Sequence, residues 1–75
     1  MEVIRMALNK GKTVEQHSID SELSAQCLKG EILFHIDNKA ETLTEDDWLY
    51  VKEGQPFSYS VKADTILLVT IVFGN

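Results

Sequence analysis

The sequence predicts an all-β fold, a small barrel or sandwich, on three observations. Apolar and polar residues alternate with period two along most of the chain, as they do in strands with one buried face. Turn-forming residues divide the apolar segments at intervals of roughly 8 to 12 residues. No helix-period apolar stripe runs longer than about two turns, and no Ser-x-x-Glu box leads into an apolar helix. The 75 residues leave room for one domain, residues 1–75, without internal repeat, linker or low-complexity tract.

The elements follow from the same alternation. Residues 18–23 have the makings of a single helical turn at most. In Leu23 to Cys27 the odd positions are apolar, and after a Lys29-Gly30 corner Ile32, Phe34 and Ile36 alternate against Glu31, His35 and Asp37, which predicts two strands. Asp37 to Ala40 is a polar turn, residues 40–43 a short strand, and Thr44-Glu45-Asp46-Asp47 an acidic turn. Trp48 to Val51 is dense in strand-forming types. Gly54 and the only proline, Pro56, mark a loop before Phe57 to Val61. Ala63-Asp64 reads as a further turn. The last run, Thr65 to Phe73, is apolar on both faces, as in a strand with the core on one side and a partner on the other.

Composition narrows the function classes. Hydrophobic residues make up 44% and charged residues 25%, an ordinary balance for a folding domain. Seven basic residues against twelve acidic ones give a net charge of -5, which argues against nucleic acid and anionic membrane partners. So small a chain buries a modest core, and a homodimer is a natural expectation. The single cysteine, Cys27, has no partner for a disulfide or a thiolate metal site, as in a reducing compartment. Met1-Glu2-Val3-Ile4-Arg5-Met6 lacks the basic and apolar regions of a secretory signal. The longest apolar run, Ile66 to Phe73, is broken by Thr70 and falls far short of the roughly 20 residues of a membrane helix. The expectation is a soluble, cytoplasmic protein.

Two spacings then point to a family. Gly11 is followed by five residues and His17, and Gly30 closes the segment; later, Gly54 sits within the stretch from Asp46 to Val61. This arrangement resembles the cupins, whose first motif is G-x5-H-x-H-x3or4-E-x6-G and whose second is G-x5-P-x-G-x2-H-x3-N. The first aligns Gly11, His17 and Gly30 directly, with Ile19 at the second His and Leu23 at the Glu. The second aligns Asp46 with the opening glycine, Lys52 with the proline, Gly54 with the second glycine, Phe57 with the His and Val61 with the Asn. The resemblance spans residues 3–73 and implies a small double-stranded β-helix, the cupin-like jelly-roll barrel.

Its chemistry is implied by the same alignment. Cupin enzymes usually hold a divalent metal with two His and a Glu from the first motif and a His from the second. Ile19, Leu23 and Phe57 have no lone pair to donate, so the resemblance implies a barrel without that metal and without a cofactor. The replacements are large and apolar, which points to a filled core or to a hydrophobic pocket lined by Ile19, Leu23, Cys27, Phe57 and Tyr59 with His17 at its mouth. A one-residue shift of register is the route by which Glu22 would come inward beside His17 and reopen a metal site. The leading expectation is a non-catalytic module that binds a small, partly apolar ligand or acts as a dimeric scaffold. The alternative is a metal-independent sugar epimerase or isomerase with His17 as base and Tyr59 as acid. Ser58, Ser60 and Gln55 then lie near the pocket rim, while the only arginine, Arg5, is too near the N-terminus to clamp a phosphate.

The remaining chemistry-bearing residues have ordinary readings. An imidazole is the side-chain type that titrates near neutrality, yet His17 at a strand start most simply hydrogen-bonds the backbone. Cys27 on an apolar strand face acts as a small hydrophobe. His35 shares a face with Glu31 and Asp37 and points to solvent. Glu45-Asp46-Asp47 lacks the glycine and carbonyl geometry of a calcium loop. Leu49 and Val51 face inward, which leaves Trp48 and Tyr50 on an outer surface. That surface, with the last strand, is the expected dimer interface.

Overall fold

The computed structural model describes residues 1–73, which form six strands and no helix. They are β1 (Glu2–Leu8), β2 (Thr13–His17), β3 (Ser21–Ile36), β4 (Lys39–Leu43), β5 (Trp48–Val51) and β6 (Phe57–Phe73). Two long antiparallel strands, β3 and β6, pair along nearly their whole length. β1 lines up beside residues 65–71 of β6, and β5 beside residues 23–26 of β3, which makes the sheet order β1-β6-β3-β5 in one half. In the other half β2 flanks the start of β6 and β4 flanks residues 32–36 of β3, giving β2-β6-β3-β4. The two halves fold onto each other and enclose a core that includes Leu8, Ala25, Cys27, Ile32, Phe34, Leu43, Leu49, Val51, Phe57, Val61, Leu67 and Val69.

The long strands correct two sequence expectations. The Lys29-Gly30 corner is not a break between strands but a bulge inside β3, and Ala63-Asp64 is not a turn but part of β6. Pairing shifts register between Cys27 and Ile32, where Gly30 takes φ +99°. Glycine adopts that conformation without strain, so the chain folds over without leaving the ladder. In sequence, a bulge of this kind carries the same residues as a turn. Residues 18–20 are loop, not helix, and Ser21 already belongs to β3. The strands β1 and β2, absent from the sequence reading, complete the two halves, and His17 stands at the end of β2, not at the start of a strand.

The turns match their residues. Asp37 and Asn38, at φ 50° and 65°, link the paired Ile36 and Lys39 as a two-residue hairpin with positive φ at both positions. Asn and Asp tolerate that region better than other side chains. Leu49 and Val51 are buried and Trp48 and Tyr50 exposed, as the alternation along β5 requires.

Candidate functional site

A cavity of about 260 Å³ opens inside the barrel. His17, Ile19, Leu23, Phe57 and Tyr59 line it together. Ile4 and Met6 from β1, Val14 from β2, Ala25 and Phe34 from β3, and Leu67, Val69 and Ile71 from β6 complete the wall. Alternation does not single out these eight: Ala25 and Phe34 lie on faces that it places inward, whereas Leu67, Val69 and Ile71 lie in a run that is apolar on both faces.

Each key side chain is held by a local cause. His17 pairs across the ladder with Phe57, which brings their rings to 4.4 Å between centroids at a tilt of 51°. Phe34 and Tyr59 are likewise a cross-strand pair, with ring centroids 5.3 Å apart. Tilted aromatic pairs at these distances are favourable beyond the area they bury. Ile19 sits in the loop between β2 and β3, whose position is fixed by the Gly54 N–H donating to the Ile19 carbonyl at 2.8 Å. Leu23 lies on the inward face of β3, paired with Val51 and Ile71.

Polar groups on this wall are few. His17 Nδ1 lies 3.1 Å from the Glu15 carbonyl oxygen. A carbonyl oxygen only accepts, so Nδ1 donates to it, and Nε2 is the ring nitrogen left without a partner on this wall. Burial raises the Tyr59 phenol above its ordinary pKa, which keeps it a hydrogen-bond donor. The remaining side chains named on the wall are hydrocarbon or thioether.

Cys27 is not at this cavity. Its side chain is wholly buried in the core beyond the wall, with Sγ directed to the carbonyl oxygens of Lys29 at 3.4 Å and Gly30 at 3.8 Å. Alternation put it on the right face, but the bulge that follows turns that end of β3 away. Two of the polar groups expected at the rim are also elsewhere. Gln55 lines a groove between β4 and β5, and Ser58 another beside His35 and Asn38. Glu22 is exposed on the outer face beside Tyr50, so the registers formed do not bring it inward.

The cavity wall does not suit the divalent metal that the resemblance implies. The four aligned positions, His17, Ile19, Leu23 and Phe57, do converge on one cavity, but only His17 offers a donor atom. Among the described residues no three His, Cys, Asp or Glu side chains gather as a metal site needs. The donor set does not fit a first-row metal, and no chemical step is derived through one.

No family model and no curated protein matches the sequence. Solved structures do resemble it. A protein of unknown function from Streptococcus pyogenes superposes with a TM-score of 0.86 at 23% identity, over 97% of this chain and 64% of that one. An RmlC-like cupin from Shewanella frigidimarina gives 0.86 at 19% identity, over 92% and 62%. A protein described as a predicted oxalate decarboxylase from Thermotoga maritima gives 0.84 at 24%, over 96% and 65%. The chain therefore has the cupin fold, an all-β jelly-roll barrel. It spans less than two thirds of the length of these structures, one of which is described as a predicted decarboxylase and two of which carry no stated activity.

Proposed function

We propose that this chain is a non-catalytic, metal-free cupin-like binding module that holds one small, mainly apolar molecule in the barrel. The observation that carries the reading is a cavity of about 260 Å³ walled by hydrocarbon, with His17 and Tyr59 as the polar residues of its wall. An apolar cavity of about 150 Å³ already admits benzene, so this one matches a mono- or bicyclic ring. A ligand with one hydroxyl or N–H satisfies His17 Nε2, and an oxygen acceptor suits Tyr59. A single buried thiol fits a reducing, cytoplasmic setting.

Native mass spectrometry and elemental analysis of protein purified without chelators test this directly. The expected result is a metal-free protein with an organic adduct, or one that gains an adduct on exposure to phenol or indole. Stoichiometric metal on which an activity depends overturns it.

A second reading, a metal-independent isomerase, draws on His17 and Tyr59 sharing the cavity wall as base and acid. The rest of the wall gives a polyhydroxylated sugar little to bind, and Arg5 lies outside on β1. His17→Ala and Tyr59→Phe separate the two readings. Each abolishes turnover in an isomerase, whereas in a binding module each weakens ligand affinity alone.

A further inference from the structure

Among the described residues β4 and β5 pair only with β3, and an open groove of about 410 Å³ runs between them. It shares no lining residue with the apolar cavity of the barrel. Trp48 and Tyr50 border it from β5, Lys39 and Glu41 from β4, and Asp37 and Gln55 from the adjoining loops. Trp48 is 66% exposed and Tyr50 46%, a large aromatic area to leave in water. Two positions apart on one strand, their side chains leave the same face about 7 Å apart, the spacing at which two rings flank a single guest group.

Negative charge surrounds this pair. Asp37 and Glu41 against Lys39 leave the groove one net negative charge. The Glu22 carboxylate lies against the Tyr50 hydroxyl and raises its pKa, and the acidic turn Glu45-Asp46-Asp47 leads into Trp48. Glu41 stands opposite Phe34 across the ladder, on the barrel-facing side of β4, and is exposed there because no strand covers the seam. Asp37 is held from behind: its Oδ2 accepts from Gln55 Nε2, and Gln55 Oε1 accepts from the Lys52 N–H at 3.0 Å. A carboxylate fixed in this way loses little freedom when a ligand arrives.

We infer that the groove binds a quaternary ammonium ion, with its trimethylammonium group between Trp48 and Tyr50 and its charge balanced by Glu41 and Asp37. A bulky methylated cation gives up its water for aromatic faces at little cost, and the negative ring faces attract it. A primary ammonium is compact and strongly hydrated, and so gains less there. An anion meets two carboxylates. The charged side chains of β4 oppose the addition of a further strand along its free edge, which favours a small ligand over an extended peptide. The site goes beyond the barrel ligand proposed above and does not depend on it.

Choline is the probe, and dimethylbutanol, the neutral tert-butyl alcohol of the same shape, is the control. Proton NMR of the choline N-methyl signal, titrated with the full chain, reads the binding, because ring currents of Trp48 and Tyr50 move that signal upfield. Trp48 is the only tryptophan, so its emission gives a second reading. The expected dissociation constant is on the order of 1 mM at low ionic strength, rising with added salt, and dimethylbutanol should bind about tenfold more weakly. Trp48→Ala and Tyr50→Ala should each weaken choline binding about fivefold or more, and Glu41→Gln about threefold. All three side chains are exposed, so circular dichroism of each variant should match the parent. Equal binding of the neutral alcohol overturns the inference, since it reduces the groove to an apolar surface. So does a choline signal that does not move, or one whose shift is indifferent to the loss of Trp48 and Tyr50.

Discussion

Thr65 occupies the space that a side chain at residue 30 would need. A Cβ built on Gly30 falls 2.6 Å from Thr65 Oγ1 and 2.7 Å from Thr65 Cα. The buried Thr65 hydroxyl in turn accepts the Glu31 N–H at 3.1 Å and lies 2.7 Å from the Ala63 carbonyl, to which it donates. One glycine and one threonine thus join the bulges of β3 and β6 at the point where both strands fold over.

Gly30→Ala should therefore be severe. It adds a methyl where backbone atoms already stand and forces alanine to φ +99°. The combined cost is about 3 kcal/mol or more, a large part of the stability of so small a domain. Urea denaturation checks it, and the midpoint should fall steeply, down to a chain unfolded in buffer.

Thr65→Val tests the hydroxyl without changing the shape. The Glu31 N–H loses its acceptor inside a part-buried bulge, at a cost of about 1–3 kcal/mol. Thr65→Ser should cost less, since it keeps the oxygen and loses a methyl. A thermal melt that ranks Ser above Val supports the hydroxyl role; the opposite order assigns the site to packing alone.

The bend also explains what could be read from the sequence. Alternation found the inner faces of β3 and β5, because a period of two does not depend on partners, but in the last part of β6 both faces are apolar and it could not choose between them. It could not find that Lys29-Gly30 and Ala63-Asp64 lie within strands, since a bulge and a turn share the same residue types and differ only in what pairs across them. β1 escaped because Val3, Arg5 and Ala7 on its outer side are all exposed and Ile4 and Met6 on the inner side only half-buried, a weak pattern in a short segment. His17, Ile19, Leu23 and Phe57 are legible as a group through the motif spacing, and Tyr59 through its alternation with Phe57. Cys27 was misplaced because its face, but not its depth, follows from alternation.

Asp46 marks where the second motif departs from glycine while keeping its conformation. It has φ 73° at the third position of the Thr44–Asp47 turn, and its N–H donates to the Cys27 carbonyl at 2.7 Å. Aspartate tolerates this region, whereas a β-branched residue does not. Asp46→Val should cost about 2 kcal/mol and Asp46→Gly close to nothing, measured by chemical denaturation. Equal losses would mean that the carboxylate, and not the backbone, matters there.

The neighbouring carboxylate gives the fold an acid limit. Asp47 Oδ2 accepts from the Thr44 N–H at 2.9 Å and from the Thr44 hydroxyl at 3.0 Å, which holds its pKa below the ordinary value. A depressed carboxylate stabilises the folded state above its unfolded pKa, and that contribution disappears as the pH falls through the folded one. Stability should drop on acidification below the ordinary carboxylate range. Asp47→Asn should flatten that part of the profile.

Cys27 sets the opposite limit. Burial pushes its thiol pKa up and the nearby Asp47, Glu45 and Asp46 carboxylates add to this, against a smaller lowering by the Lys29 backbone contact. A raised thiol contributes stability that is present below its unfolded pKa and is lost as the pH climbs through the folded one. The same burial withholds the thiolate from reagents. In native protein near pH 8, Ellman's reagent should react with Cys27 only as fast as the barrel opens, and at once in denaturant. Cys27→Ala, which leaves a small void, should weaken the fold modestly and remove the thiol's share of the alkaline loss. Prompt modification without unfolding would place the sulfur at the cavity after all, and Cys27 would rejoin His17 and Tyr59 among the groups a ligand can touch.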